Sequence, residues 1–253
     1  MRALSELQVG HLQLLLAVLI AVLWPIYDHF IDWPRFQREL RDNPRYARLR
    51  EYRWSILLQW VVSASGALLW LAGSGAQAGL GLNAFSGWRL WASVAFLAPF
   101  VIVHSINLVK AFRSERTRSY LRAHLQNVEA ILPRTTTELI WFLALSVTAG
   151  VCEEFLFRGY LVWVFAPLLT RWGAVVLSTV AFGFLHAYQG RKGMIQATVL
   201  GALFAALVLM ARSLVPAMLL HAVIDIGSGL MTWIALTTPI RSRGGDSAAS
   251  AAV

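Results

Sequence analysis

Cysteine is nearly absent from the chain. Cys152 is the single one among 253 residues, so no intrachain disulfide can form and the count says nothing of the redox compartment. It sits beside Glu153, yet nothing next to it in sequence would generate a thiolate, and it reads as a packing thiol rather than a nucleophile. Charge is scarce as well: 14% of residues are charged and 58% hydrophobic, with a mean hydropathy of +0.60. That balance excludes an ordinary soluble domain and indicates one polytopic membrane protein. An internal repeat is missing, which argues against an inverted-repeat transporter. So is the H-E-x-x-H helix of soluble zinc proteases.

Negative charge is the scarcer sign. The formal net charge is +9, nearly all of it from arginine. In a soluble protein this excess would point to nucleic acid, but its distribution argues otherwise, and no nucleic-acid partner is expected. Arg35, Arg38, Arg41, Arg45, Arg48, Arg50 and Arg53 crowd one loop, and Lys110, Arg113, Arg116, Arg118 and Arg122 another. The stretch between them, Gly73 to Gly87, has no charge. This is the positive-inside pattern, which puts both basic loops in the cytoplasm, with attraction to anionic headgroups as a secondary effect.

A span needs about 20 mostly apolar residues. The sequence offers a retained first span at about 11–30, an interfacial and partly helical segment at 31–53, and further spans at 54–72 and 88–109 flanked by Trp54, Trp60, Trp70, Trp88 and Trp91. After a polar connection at 110–136 come 137–168, 172–188, 194–211 and 213–236. The predicted fold is all-α: a transmembrane bundle of about seven spans, or eight if the long fourth one breaks at Gly150 or Gly159. Pro133 and the Thr135-Thr136-Thr137 run, followed by Glu138, predict a helix start. Counting alternately puts the N-terminus outside and the C-terminus in the cytoplasm, with Arg171 and Arg212 on the unexpected side. Three regions follow: 1–134 with about three spans and the basic loops, 135–239 as a catalytic membrane core, and 240–253 as a disordered tail.

That core holds polar residues which its apolar surroundings should not tolerate. Glu153, Glu154, Arg158, His186, His221 and Asp225 each cost on the order of 2.5–3.5 kcal/mol within a bilayer, so they require a function. Glu154 and Arg158 are four apart and predict an intramembrane ion pair. Glu153 lies about 100° round the helix, free to face a hydrated cavity as a general base. Small residues at Ser178, Ala181 and Gly183 let another helix approach near His186. His221 and Asp225, again four apart, predict an imidazole oriented by a carboxylate. By the span count, however, Glu153 lies at or beyond midplane while His186 ends near a face. Further out, His104, with Ser105 and Asn107, is expected to bond a neighbouring helix.

The residues leave two hydrolytic chemistries open. In one, a carboxylate activates water with histidine help and no cofactor is required. In the other, zinc is held by Glu153, His186 and His221. The first is favoured, with the metal undecided.

In order and spacing, Glu153-Glu154-x-x-x-Arg158, Phe182-x-x-x-His186 and His221-x-x-x-Asp225 resemble the three motifs of the CPBP family of intramembrane proteases. That family includes the type II CAAX prenyl endopeptidases and bacterial relatives linked to bacteriocin self-immunity. The string Glu153-Glu154-Phe155-Leu156-Phe157-Arg158-Gly159 is especially similar to its first motif, and the resemblance covers about 135–236. It implies an endopeptidase in a bacterial cytoplasmic membrane, acting on a membrane-anchored protein or peptide. Glu153 would activate water with His186, His221 and Asp225 would serve the oxyanion, and Glu154 and Arg158 would support the site. One position departs: the last motif more often ends in Asn, and an ionised carboxylate at Asp225 cannot donate to an oxyanion. The rival readings of the same residues are a proton-coupled transporter, in which they form a relay, and a non-catalytic membrane scaffold.

Overall fold

In a computed structural model, which describes residues 9–73, 81–125 and 128–239, the chain is a bundle of helices with no strand among the described residues. Helix α1 is His11–Asp42, α2 Pro44–Ala72, α3 Trp88–Arg113, α4 Glu115–His124, α5 Thr136–Leu185, α6 Gly190–Ala211 and α7 Val215–Thr237. All but the short α4 are long and apolar enough to cross a membrane. The expected tail at 240–253 lies outside the described residues.

Helix α5 has 50 residues. Drawn straight, at about 1.5 Å per residue, a helix of that size would measure roughly 75 Å, more than twice a hydrocarbon core. It does not run straight. Thr170 has φ 69° and ψ 162°, and there the helix doubles back on itself. L-residues rarely adopt such a conformation. Ser178 Oγ then donates to Phe157 O, and the Phe157 and Phe182 rings lie 5.3 Å apart. The predicted boundary between spans at 168–172 is therefore correct, and six helices supply the seven apolar segments. No eighth arises among the described residues, because α5 continues through Gly150 and Gly159.

The basic segment at 31–53 is not a loop. Helix α1 continues to Asp42 and α2 restarts at Pro44, with Asn43 alone between them. The Asn43 side chain accepts from the Tyr46 amide, and proline suits the first helical position, where an amide would have no partner. The start of α5 follows the sequence expectation. Thr135 Oγ1 accepts from the Glu138 amide at 3.3 Å, and Glu138 accepts in return from the Thr135 amide at 3.1 Å. Fully buried Glu138 also pairs with Arg48 of α2 at 3.3 Å.

Contacts between elements sort the junctions into two ends. At one, Tyr52 bonds Ile131 O, Trp33 packs on Tyr188, and Arg122 donates to Ala235 O and Thr238 O. At the other, Gln13 donates to Leu69 O and the Leu214 amide to Gly81 O. The first end gathers most of the basic residues.

Helix α7 packs chiefly on α5 and α3, and α2 on α5. Gly150 lets α5 and α7 touch: a Cβ there would stand 2.8 Å from Met218 O and 2.9 Å from the Ala222 Cβ. Gly183 plays the same part toward Thr198 of α6, as the small residues around it predict. His104 bonds Phe100 O of its own helix rather than another, and packs against Gly227 of α7. The Trp60 indole, within the span, donates to Thr148 Oγ1. Trp70, near the end of α2, is buried and stacked on Trp163 at 4.9 Å.

Candidate active site

The reversal of α5 at Thr170 sets the levels of Glu153 and His186. Two arms of one hairpin that pair Phe157 with Ser178 also bring His186 back beside Glu153. The depth mismatch expected from the span count therefore disappears, and both residues line one cavity of about 260 Å³ together with His221 and Asp225. Glu154 and Arg158 stand behind its wall.

Glu153 is 7% exposed. Its Oε1 accepts from Gln59 of α2 at 3.2 Å, and its Oε2 is buried with no hydrogen-bond partner among the described residues, 4.0 Å from His221 Nε2. Glu154, one residue on, has no exposure and points the other way. The Arg158 guanidinium donates to its Oε1 at 3.1 Å, the ion pair expected from the spacing. Arg158 is further enclosed by rings, lying 4.1 Å over Phe182 and 5.4 Å over Phe204. A buried charge with one carboxylate partner and two aromatic faces is held rigidly. Immediately after Glu154 the backbone widens into a π-helical stretch, Phe155–Leu161, a distortion that recurs at functional sites.

His221 meets the carboxylates from α7. Its Nδ1 lies 2.9 Å from Glu154 Oε1, close enough for a hydrogen bond. Asp225 Oδ2 stands 3.6 Å from Nε2, too far for one. The sequence expectation is corrected here: Glu154 rather than Asp225 orients the imidazole. The ring is stacked on Phe204 at 5.0 Å, which fixes its plane. His186 Nδ1 bonds Phe182 O at 2.9 Å. A carbonyl only accepts, so Nδ1 carries the hydrogen and the neutral ring offers Nε2 as an acceptor.

Sequence reasoning misses Gln59, Asp28 and Asp32, all of which line the cavity. Gln59 is open to detection, being a polar side chain inside the apolar span 54–72. The two aspartates fall on either side of the boundary between a span and an interfacial segment. Among the described residues no group of three His, Cys, Asp or Glu side chains has the arrangement to hold a metal ion. Cys152 is buried, in keeping with a packing role.

A helical membrane bundle enclosing carboxylates and imidazoles around one cavity has the groups of a hydrolase. Residues 135–227 match the family model described as type II CAAX prenyl endopeptidase Rce1-like. The match covers the stretch that carries the three motifs and supports membership of the CPBP family of intramembrane endopeptidases. No curated protein and no solved structure matches the chain.

Proposed function

We propose that the protein hydrolyses a peptide bond in a membrane-anchored protein or peptide, with Glu153 as the general base toward water. The observation that carries this reading is the buried Glu153 Oε2 on the cavity wall, without a hydrogen-bond partner among the described residues and 4.0 Å from His221 Nε2. Oε1 is occupied by Gln59, so the second oxygen is the one available to take a proton. His186 Nε2, an acceptor, helps to orient the water. His221, held at Nδ1 by Glu154, presents Nε2 to the carbonyl oxygen. In its doubly protonated form it donates to the developing oxyanion. Glu154 and Arg158 position His221 without touching substrate.

The cavity borders the Arg-rich junction of α1 and α2, the connection before α5, and the turn before α6. With those basic junctions in the cytoplasm, as the positive-inside rule requires, the site opens beneath the cytoplasmic headgroups of a bacterial membrane, with the N-terminus outside and the C-terminus inside. Substrates that reach it are chains anchored or inserted at that face.

Glu153→Gln is the direct test. It keeps an acceptor for Gln59 while removing the base, so a purified, folded variant should lose at least about 100-fold in kcat. Cleavage at the parent rate would refute the assignment. A proton-coupled transporter would instead move solute or protons in sealed vesicles in response to a proton gradient and release no peptide product.

A further inference from the structure

The cavity is lined by more than the reacting groups, and its wall is acidic. Five carboxylates line it: Asp28, Asp32, Glu51, Glu153 and Asp225, with no lysine or arginine among the lining residues. Three of the five already have cationic or hydrogen-bonding neighbours outside the wall or within the reaction centre, Asp225 through His221 Nε2 at 3.6 Å. Glu51 pairs with Arg50 at 3.2 Å, and Glu153 is held by Gln59. The aspartates of α1 are different. Asp32 is 7% exposed and makes no hydrogen bond or ion pair among the described residues, and the Asp28 Oδ2 is buried with no hydrogen-bond partner there either. They lie four apart, at the two ends of one π-helical turn, Asp28–Asp32.

Burying carboxylates without counter-charge is costly, and the cost is relieved either by taking up a proton or by the arrival of a cation. The neighbouring walls suit an organic one. Trp24, Trp33 and Tyr188 share the cavity with the two aspartates, and the rings of Trp33 and Tyr188 lie 4.9 Å apart. Acids combined with aromatic faces recognise lysine and arginine through ion pairing and cation–π contact. The acids do not close around an inorganic ion, since no metal-holding group of three is found among the described residues. Chains that meet the cytoplasmic face of a membrane are rich in such basic residues.

Resting on the endopeptidase reading, we infer that Asp28 and Asp32 form a specificity subsite for a lysine or arginine side chain of the substrate, a short distance along the peptide from the scissile bond. The residues select substrate and take no part in bond breaking.

The test uses the full-length protein in detergent and quenched peptides that are identical except for Lys, Ala or Glu at each position near the scissile bond. At one position Lys should exceed Ala in kcat/KM by roughly 10- to 100-fold, the range of a hydrogen bond to a charged group. Joint Asp28→Asn and Asp32→Asn should reduce that ratio to below about 3-fold, and Asp32→Lys should move the preference to Glu. Equal cleavage of all three peptides by the parent protein overturns the inference, as does a Lys preference that survives in the asparagine variant. The parent series stands even if a variant misfolds. If the parent cleaves no peptide, the endopeptidase reading is what fails. The subsite is then read from equilibrium binding of labelled Lys and Glu peptides to Glu153→Gln protein, where equal affinity overturns it and tighter Lys binding upholds it.

Discussion

Glu154 Oε1 accepts from two partners at once, the guanidinium of Arg158 at 3.1 Å and Nδ1 of His221 at 2.9 Å. This one oxygen ties the first motif to the last across the α5–α7 interface, and it explains why two adjacent glutamates are present where one base would suffice. Glu153 faces the cavity, and Glu154 holds the imidazole that lines it.

Removing Glu154 should therefore damage fold and activity by separable routes. Glu154→Ala leaves the buried Arg158 uncompensated, which costs about 3–5 kcal/mol. Replacing both Glu154 and Arg158 by leucine removes the uncompensated charge and should restore much of the stability. Activity should stay at least about 100-fold below the parent, because His221 has lost its orienting partner. Thermal unfolding in detergent and kcat on a peptide substrate measure the two. Activity that returns with stability would show the pair to be structural only.

Asp225 is expected to tolerate change. It stands 3.6 Å from His221 Nε2 and its side chain is 38% exposed, so it makes no oriented hydrogen bond to that ring for a mutation to break. Asp225→Asn supplies an amide donor at the same place, and kcat/KM should remain within about 3-fold of the parent or rise. A loss above about 10-fold would mean that the carboxylate's charge is required.

Most of the bundle is legible in the sequence because each determinant is local. The cap at Thr135 and Glu138, the pair at Glu154 and Arg158, and the boundary near Pro167 all act within a few residues. What escapes depends on distance in sequence. Gln59 reaches Glu153 across 94 positions, and His221 takes Glu154 over nearby Asp225 only because Gly150 lets α5 and α7 touch. Linear counting misjudges the depth of Glu153 because it cannot see that a hairpin returning at Thr170 puts residues 153 and 186 at one level. The basic stretch at 31–53 reads as only partly helical because its composition is polar and holds two prolines, whereas a single junction at Asn43 leaves it helical on both sides.

Gly150 should thus be critical although it carries no chemistry. A Cβ at this position would meet Met218 O at 2.8 Å and Ala222 at 2.9 Å, both belonging to the α7 turn that presents His221. Gly150→Ala should destabilise the protein by about 1–3 kcal/mol through overpacking, and it should lower kcat more than it raises KM, because His221 is displaced from Glu154. A folded Gly150→Ala protein with unchanged kcat would show that the close approach of the two helices does not set the site.

The response to chelation separates the two hydrolytic chemistries. In the glutamate-water reading, Glu153 takes the proton and His186 and His221 act as hydrogen-bonding groups, so no step draws on a resident ion. His186 Nδ1 is committed to Phe182 O and His221 Nδ1 to Glu154, while His221 Nε2 sits 4.0 Å from the nearest oxygen of Glu153. Protein dialysed against a strong chelator should then retain its kcat, with less than stoichiometric zinc by elemental analysis. Activity lost on dialysis and restored by added zinc would mean that Glu153, His186 and His221 close around an ion, and Glu153→Gln would then have to lower zinc content together with rate.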